Sequence, residues 1–166
     1  MAVGPMTPKE RFTAALTGQP VDRPCAASIT SVVNFELMDL VGPHFPEANT
    51  EPEPMAELAA SAHDLMGFDS VMPIFGIAQE ATAIGCVVDF SDPDNMPTPQ
   101  FAPWADRDAD IRLPDGFPDS FFEDKYVKCA LDAIRLLKSH FGDKLSLIHI
   151  SEPTRPERIA DAVVGV

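Results

Sequence analysis

The sequence predicts an α/β fold, and three observations carry that prediction. Helical periodicities alternate with short apolar, β-branched runs along the chain. Several of the helical stretches open on a capping signal, and several close on a glycine. The 166 residues are 45% hydrophobic and 23% charged, the balance of an ordinary globular domain with one domain's worth of core.

The elements follow in order. Thr7-Pro8-Lys9-Glu10 is a capping box with proline at the first helical position, and Phe12, Ala15 and Leu16 supply one apolar face before Gly18 stops the helix. Val21-Asp22-Arg23-Pro24 turns the chain into residues 25–29, whose small and β-branched character predicts a buried first strand. A second helix is expected through Phe35, Leu37, Met38 and Leu40, broken by Gly42-Pro43. Thr50 and Glu53 repeat the capping-box spacing, and Met55, Leu58, Ala59, Ala62, Leu65 and Met66 recur at helical steps up to Gly67.

Residues 70–74 read as a short strand whose proline marks its end or an interruption. Gln79 and Glu80 open a short helix that ends at Gly85, and residues 86–90 read as another strand, covered on both faces. Residues 91–118 are crowded with Pro and Asp, which predicts an irregular excursion with Trp104 as its anchor. Asp119 is expected to cap a last helix carrying Phe122, Val127, Ala130, Ile134 and Leu137 toward Gly142, and Leu145 to begin another strand.

Composition excludes several classes of function. Twelve basic against 26 acidic residues give a formal charge of −14, which repels nucleic acid and anionic lipid. No apolar run reaches the roughly eighteen residues of a membrane span, and no signal stretch opens the sequence, so the expected compartment is the cytoplasm. Cys25, Cys86 and Cys129 are few, far apart and odd in number, which points to reduced thiols rather than a disulfide framework.

Two sets of residues resemble a known family. The first runs from Met6-Thr7-Pro8-Lys9-Glu10-Arg11-Phe12 through Gly18-Gln19-Pro20-Val21-Asp22-Arg23-Pro24. It is similar to the opening shared across the uroporphyrinogen-decarboxylase superfamily. The second comprises Glu36-Leu37-Met38, Phe45-Pro46-Glu47-Ala48, Met55-Ala56-Glu57-Leu58-Ala59, Gly67-Phe68-Asp69 and the stretch from Glu80-Ala81 to Gly85-Cys86. It resembles the methylcobamide:coenzyme M methyltransferases of that superfamily. The resemblance implies a (β/α)8 barrel, which needs about 250 residues. On this reading residues 1–145 are the N-terminal part of such a barrel, supplying three strands with their helices. Residues 146–166 are expected to be foreign, because Ser146-Leu147-Ile148-His149-Ile150-Ser151-Glu152-Pro153-Thr154-Arg155-Pro156 resembles the peptide produced when sequencing-adapter DNA is translated. The competing reading is a genuine strand followed by a proline-rich loop.

The resemblance also implies chemistry. The whole protein is expected to move a methyl group from methylcobamide, carried by a corrinoid protein, to a small thiol such as coenzyme M. Zinc is expected in that protein, held by a His-x-Cys pair and a later Cys, with the metal stabilising the thiolate nucleophile. No His here has Cys two residues on, so the metal site is expected outside this chain, which by itself is expected to be inactive. His44, His63, His140 and His149 are read as surface or capping residues, and the three cysteines as packing residues. Ser31, Asn34, Gln79 and Glu80 are the candidate substrate-binding residues, since they fall at or just after expected strand ends, where barrel enzymes assemble their sites. For Glu80 an ordinary acid in a first helical turn is the bland alternative.

Two further readings stay open. A uroporphyrinogen decarboxylase would hold its polycarboxylate through an Arg-Gln-Ala-Gly-Arg stretch after the first strand, but this chain has Ser28-Ile29-Thr30-Ser31-Val32-Val33-Asn34 there and no Lys or Arg between Arg23 and Arg107. A non-catalytic binding protein is the alternative of another class.

Overall fold

The computed structural model describes residues 4–102 and 112–147. Helix α1 (Pro8–Leu16) forms as its capping box dictates: the Glu10 amide donates to Thr7 Oγ1 at 3.3 Å, and the Thr7 amide donates back to Glu10 Oε2 at 2.8 Å. Helix α2 (Phe35–Val41) and the one-turn α3 (Glu47–Thr50) lead into α4 (Pro52–Asp64). The expected Thr50–Glu53 capping box does not form. Proline at position 52 starts α4 by itself, Glu51 is an N-cap without a side-chain bond, and Thr50 belongs to α3, where its hydroxyl donates to the Pro46 carbonyl at 3.1 Å. Helix α4 ends at Asp64, before the exposed Leu65 and Met66. Gly67, at φ +72°, then lets the Gly67 and Phe68 amides reach back to the carbonyls of His63 and Ala62.

The expected first strand at residues 25–29 is not a strand. It runs beside β1 (Ser70–Val71), joined to it by the Asp69 amide donating to the Ala26 carbonyl at 2.6 Å and the Ser70 hydroxyl donating to the Ser28 carbonyl at 3.4 Å, without completing a ladder. The strand expected at 70–74 is likewise cut to its first two residues, before Pro73. After α5 (Gln79–Ala83), the strand expected at 86–90 reduces to β2 (Val87–Asp89), which is part-exposed rather than covered on both faces. It pairs antiparallel with β3 (Thr98–Phe101), so the excursion read as irregular contains a hairpin. Pro99 fits because this two-stranded ribbon leaves an open side for a residue without an N–H. Trp104 lies outside the described residues.

Helix α6 (Asp119–Glu123) is a short separate turn, so Asp119 does not cap the long helix. Asp124 does: its Oδ1 accepts from the amides of Tyr126 and Val127 at 2.9 and 3.2 Å and opens α7 (Lys125–Phe141). Leu145 is buried just before β4 (Ser146–Leu147), which pairs parallel with β1, Ser70 opposite Ser146 and Val71 opposite Leu147. The first two residues of the tail read as foreign thus complete a strand pair, while residues 148–166 lie outside the description.

Two parallel strands joined through a long helix follow the βαβ logic, and the core sits where α4 and α7 cover them. Met55, Leu58, Ala59 and Ala62 of α4 meet Cys129, Ala133, Ile134 and Leu137 of α7, with Val71, Phe75 and Leu145 beneath. Small residues at Ala59, Ala62 and Ala133 let the two helices approach closely. No helix among the described residues is long and apolar enough to cross a membrane.

The opening motif forms a charged clasp at the N-terminal end of β1. Asp69, whose side chain is 0% exposed, accepts from Arg11 Nη1 at 2.5 Å, from Arg23 Nη2 and Nη1 at 2.7 and 2.9 Å, and from the Ala26 amide at 2.9 Å. Arg11 also grips Asp22 through Nε at 2.6 Å and Nη2 at 2.8 Å, and donates to the Met6 carbonyl at 2.6 Å. Burial works against the charge on Asp69, but the Ala26 amide and the guanidinium groups of Arg23 and Arg11 outweigh it and hold the carboxyl below its usual range. Asp22 is held well below its usual range by Arg11 and the Met6 amide.

Candidate functional site

Ser31 and Asn34 follow the extended segment 25–29, Gln79 and Glu80 open α5, and the structure treats each differently. Asn34 is the N-cap of α2: its Oδ1 accepts from the Leu37 amide at 2.8 Å, so its acceptor is already engaged in holding a helix end. Ser31 is half-buried on the segment before it. Glu80 is exposed in the first turn of α5, where a carboxylate complements the helix dipole. No hydrogen bond among the described residues joins Ser31 or Asn34 to Gln79 or Glu80.

Gln79 stands apart from the other three. It is 1% exposed at the first position of α5, and neither Nε2 nor Oε1 has a hydrogen-bond partner among the described residues. A buried amide without partners costs on the order of 1–3 kcal/mol, so a group of this kind calls for a reason. Its surroundings are tightly built. A Cβ added at Gly76 would stand 2.9 Å from Pro97 Cγ and 3.2 Å from Gln79 Nε2, so only glycine fits between the β2–β3 hairpin and the amide. On the backbone side, Thr82 Oγ1 lies 2.7 Å from the Gln79 carbonyl and 2.8 Å from Asp124 Oδ1, tying α5 to the start of α7.

Asn49 on α3 was not singled out by the sequence, yet it is 1% exposed and both its amide atoms also lack partners among the described residues. Its only sequence signal is adjacency to Phe45-Pro46-Glu47-Ala48, since a lone asparagine in a proline-bearing connection reads as solvated.

The described residues do not fit a zinc centre: no three of their His, Cys, Asp and Glu side chains come together as an ion site. Cys129 is buried in the helical core, and burial with nearby Asp132 pushes its thiol up to about 11, away from the thiolate a metal needs. Burial, followed by the charge of Asp69, raises Cys25 as well. His63 Nδ1 is 2.6 Å from the Phe68 carbonyl, His44 lies 3.4 Å from Asp39, and His140 lies 3.6 Å from Asp64, all with local partners. His149 lies outside the described residues. A groove of about 640 Å³ runs between α2, α4 and α7, but its lining of Leu40, Ala56, Ala60 and Leu137 with an acidic rim includes none of the four candidates.

A helical layer over a pair of parallel strands defines an α/β protein. The chain belongs to the uroporphyrinogen decarboxylase (URO-D) family, which it matches over residues 7–152. It is 33% identical over 142 residues to the methylcobamide:CoM methyltransferase MtbA of Methanosarcina acetivorans, covering 86% of this chain and 41% of that protein. It is 30% identical over 164 residues to a methylated-thiol–coenzyme M methyltransferase of Methanosarcina mazei, covering 99% of this chain and 42% of that one. A solved methyltransferase structure from Methanosarcina mazei superimposes with a TM-score of 0.76 at 30% identity, over 86% of this chain and 41% of the other. The chain therefore spans about two fifths of the length of the curated relatives it matches. The family and this neighbour imply a fold of the TIM-barrel type, of which the described residues show one parallel strand pair and its covering helices.

Proposed function

We propose that this chain is part of a corrinoid methyltransferase that moves a methyl group from methylcobamide, presented by a corrinoid protein, to a small thiol such as coenzyme M. The observation that supports this most is its similarity, at 30–33% identity, to curated methyltransferases whose names carry methylcobamide and coenzyme M. In such a reaction zinc supplies a stabilised thiolate at neutral pH. We assign its ligands to the length of the relatives that this chain does not span, because the described residues do not fit the ion. By itself the chain would then provide barrel wall and a strand-end fringe that orients substrate, without activating a thiol. Residues 146–166 are, on this reading, a non-native tail whose first two residues lie beside β1.

The decarboxylase reading is weaker. Between Arg23 and Arg107 the sequence has no Lys or Arg, and Arg11 and Arg23 are both engaged by carboxylates in the clasp, where charge-assisted recognition of a polycarboxylate would need them free. The test is zinc analysis together with methylcobalamin demethylation by a thiol. It is run on this chain, on an uninterrupted relative-length protein, and on that protein with Gln79→Ala or Glu80→Ala. The long protein is expected to hold zinc and turn over, and this chain to do neither. Zinc-dependent turnover by this chain, or porphyrinogen decarboxylation by the long one, would refute the proposal.

A further inference from the structure

Helix α4 uses two of its faces. One carries Met55, Leu58, Ala59 and Ala62 into the core against α7. The other lines the groove of about 640 Å³ that α4 forms with α2 and α7. Small residues at Ala56, Ala60 and Ser61 make its floor on the α4 side, and Leu137, 1% exposed, closes it on the α7 side. Leu40, Leu65 and Leu136 stand at its edge, 72%, 55% and 39% exposed, so the groove is rimmed by apolar surface left in water. Glu53, Glu57 and Asp64 follow the same flank of α4 at helical steps, over about 16 Å at roughly 1.5 Å per residue. Among the described residues Glu53 and Glu57 make no hydrogen bond or ion pair, and Asp64 has His140 Nε2 at 3.6 Å.

We propose that this groove docks a cationic amphipathic helix of a partner protein, its apolar side on the alanine floor and its Lys or Arg side chains over Glu53, Glu57 and Asp64. The reach of the site matches about three helical turns, and the small residues of its floor let a third backbone approach closely. A wall of carboxylates beside an apolar floor calls for cations at the edge of the bound segment. A second copy of this chain is the poorer occupant, since it brings the same acidic wall and a formal charge of −14. The later residues of a longer relative are poorer too. Segment 25–29, β1 and β4 lie side by side in that order beneath α4 and α7, so the next helix in the same hand falls past α7, on the side away from α4. The groove includes none of the four candidate substrate residues, so this assignment stands apart from the methyl-transfer reading.

The test is fluorescence anisotropy of a labelled leucine–lysine amphipathic peptide of about 14 residues, enough to span the site, in roughly 0.15 M salt. The unaltered chain is expected to bind it, and to bind neither a leucine–glutamate peptide of the same pattern nor a scrambled leucine–lysine peptide without an apolar face. Ala60→Phe, which fills the floor, is expected to weaken binding at least about ten-fold, and Leu40→Ser, at an exposed edge where folding is not at stake, about three-fold. Glu53→Gln with Glu57→Gln is expected to weaken it about five-fold, whereas the equal charge change Asp92→Asn with Asp94→Asn on the hairpin leaves it unchanged. Equal weakening by the hairpin pair means attraction to net charge alone and overturns the site. So does unchanged binding in both Ala60→Phe and Leu40→Ser, or no binding by the unaltered chain. Self-association in sedimentation that Ala60→Phe abolishes gives the groove to a second copy, and absence of peptide binding in the uninterrupted relative-length protein gives it to that protein's own later residues. Either result overturns the partner assigned.

Discussion

The clasp at the foot of β1 gives the sharpest test of what holds this chain together. Asp69→Asn keeps the shape of the side chain and removes its charge. In the native protein that carboxylate, 0% exposed, receives four N–H donors from Arg11, Arg23 and the Ala26 backbone. Breaking a buried ion pair by altering one partner costs about 3–5 kcal/mol, because the other charge is left buried. Arg11 is that other charge, with a side chain only 7% exposed, whereas Arg23 is 45% exposed and its pairing is worth at most about 1 kcal/mol. Arg11 keeps Asp22 and the Met6 carbonyl, so the expected loss lies near the lower figure, about 3 kcal/mol, or roughly 6–12 °C in Tm for a chain of this size. Urea unfolding followed by far-ultraviolet circular dichroism measures it, with Arg23→Gln as the exposed control. A loss below about 1 kcal/mol for Asp69→Asn, or an equal loss in Arg23→Gln, would refute the reasoning. The pH dependence follows in sign. Asp69 and Asp22 are both depressed in the folded state, so their contribution is complete above the ordinary aspartate pKa of about 3.9 and disappears as pH falls further. Asp69→Asn should therefore show a flatter acid limb than the unaltered chain.

Four further outcomes are expected. Asp124→Ala, which removes the acceptor for the Tyr126 and Val127 amides and for Thr82, should cost about 1–2 kcal/mol and loosen the start of α7, read as faster amide exchange there. Leu137→Ala, at a side chain 1% exposed between α4 and α7, should cost about 2–5 kcal/mol by urea unfolding, and a loss under 1 kcal/mol would mean the helices are not packed as described. Cys129 should resist iodoacetamide in the native chain and react on unfolding; its folded pKa is raised, so stability should decline as pH climbs from the ordinary thiol value of about 8.5 toward about 11. Deleting residues 148–166 should leave the urea midpoint unchanged, and a sharp drop would show that this stretch is part of the native fold.

Much of the helical framework was legible because it depends on neighbours in sequence. Thr7 and Glu10 are three residues apart, and their reciprocal bonds form within one turn whatever lies around them. The faces of α4 and α7 were equally plain, since a 3.6-residue period records which side will be buried before the partner is known. Nothing in the sequence distinguishes Gln79, whose buried amide has no partner among the described residues, from Asn34, which is a helix cap. The capping signals at Thr50 and Asp119 were also misread. Pro52 could start a helix unaided, and an extra turn placed Asp124 rather than Asp119 at the entrance to α7.

What the sequence by itself determined is the α/β class, the amphipathic helices and the family, because capping, periodicity and motif are properties of short stretches of chain. The tertiary structure alone decided the strand register, the clasp and the setting of Gln79. Asp69 meets Arg11 across 58 residues, β1 meets β4 across 76, and Pro97 meets Gly76 only because a hairpin folds back over it. A strand of two residues has no period to read, and a buried amide looks like any glutamine until its neighbours close around it.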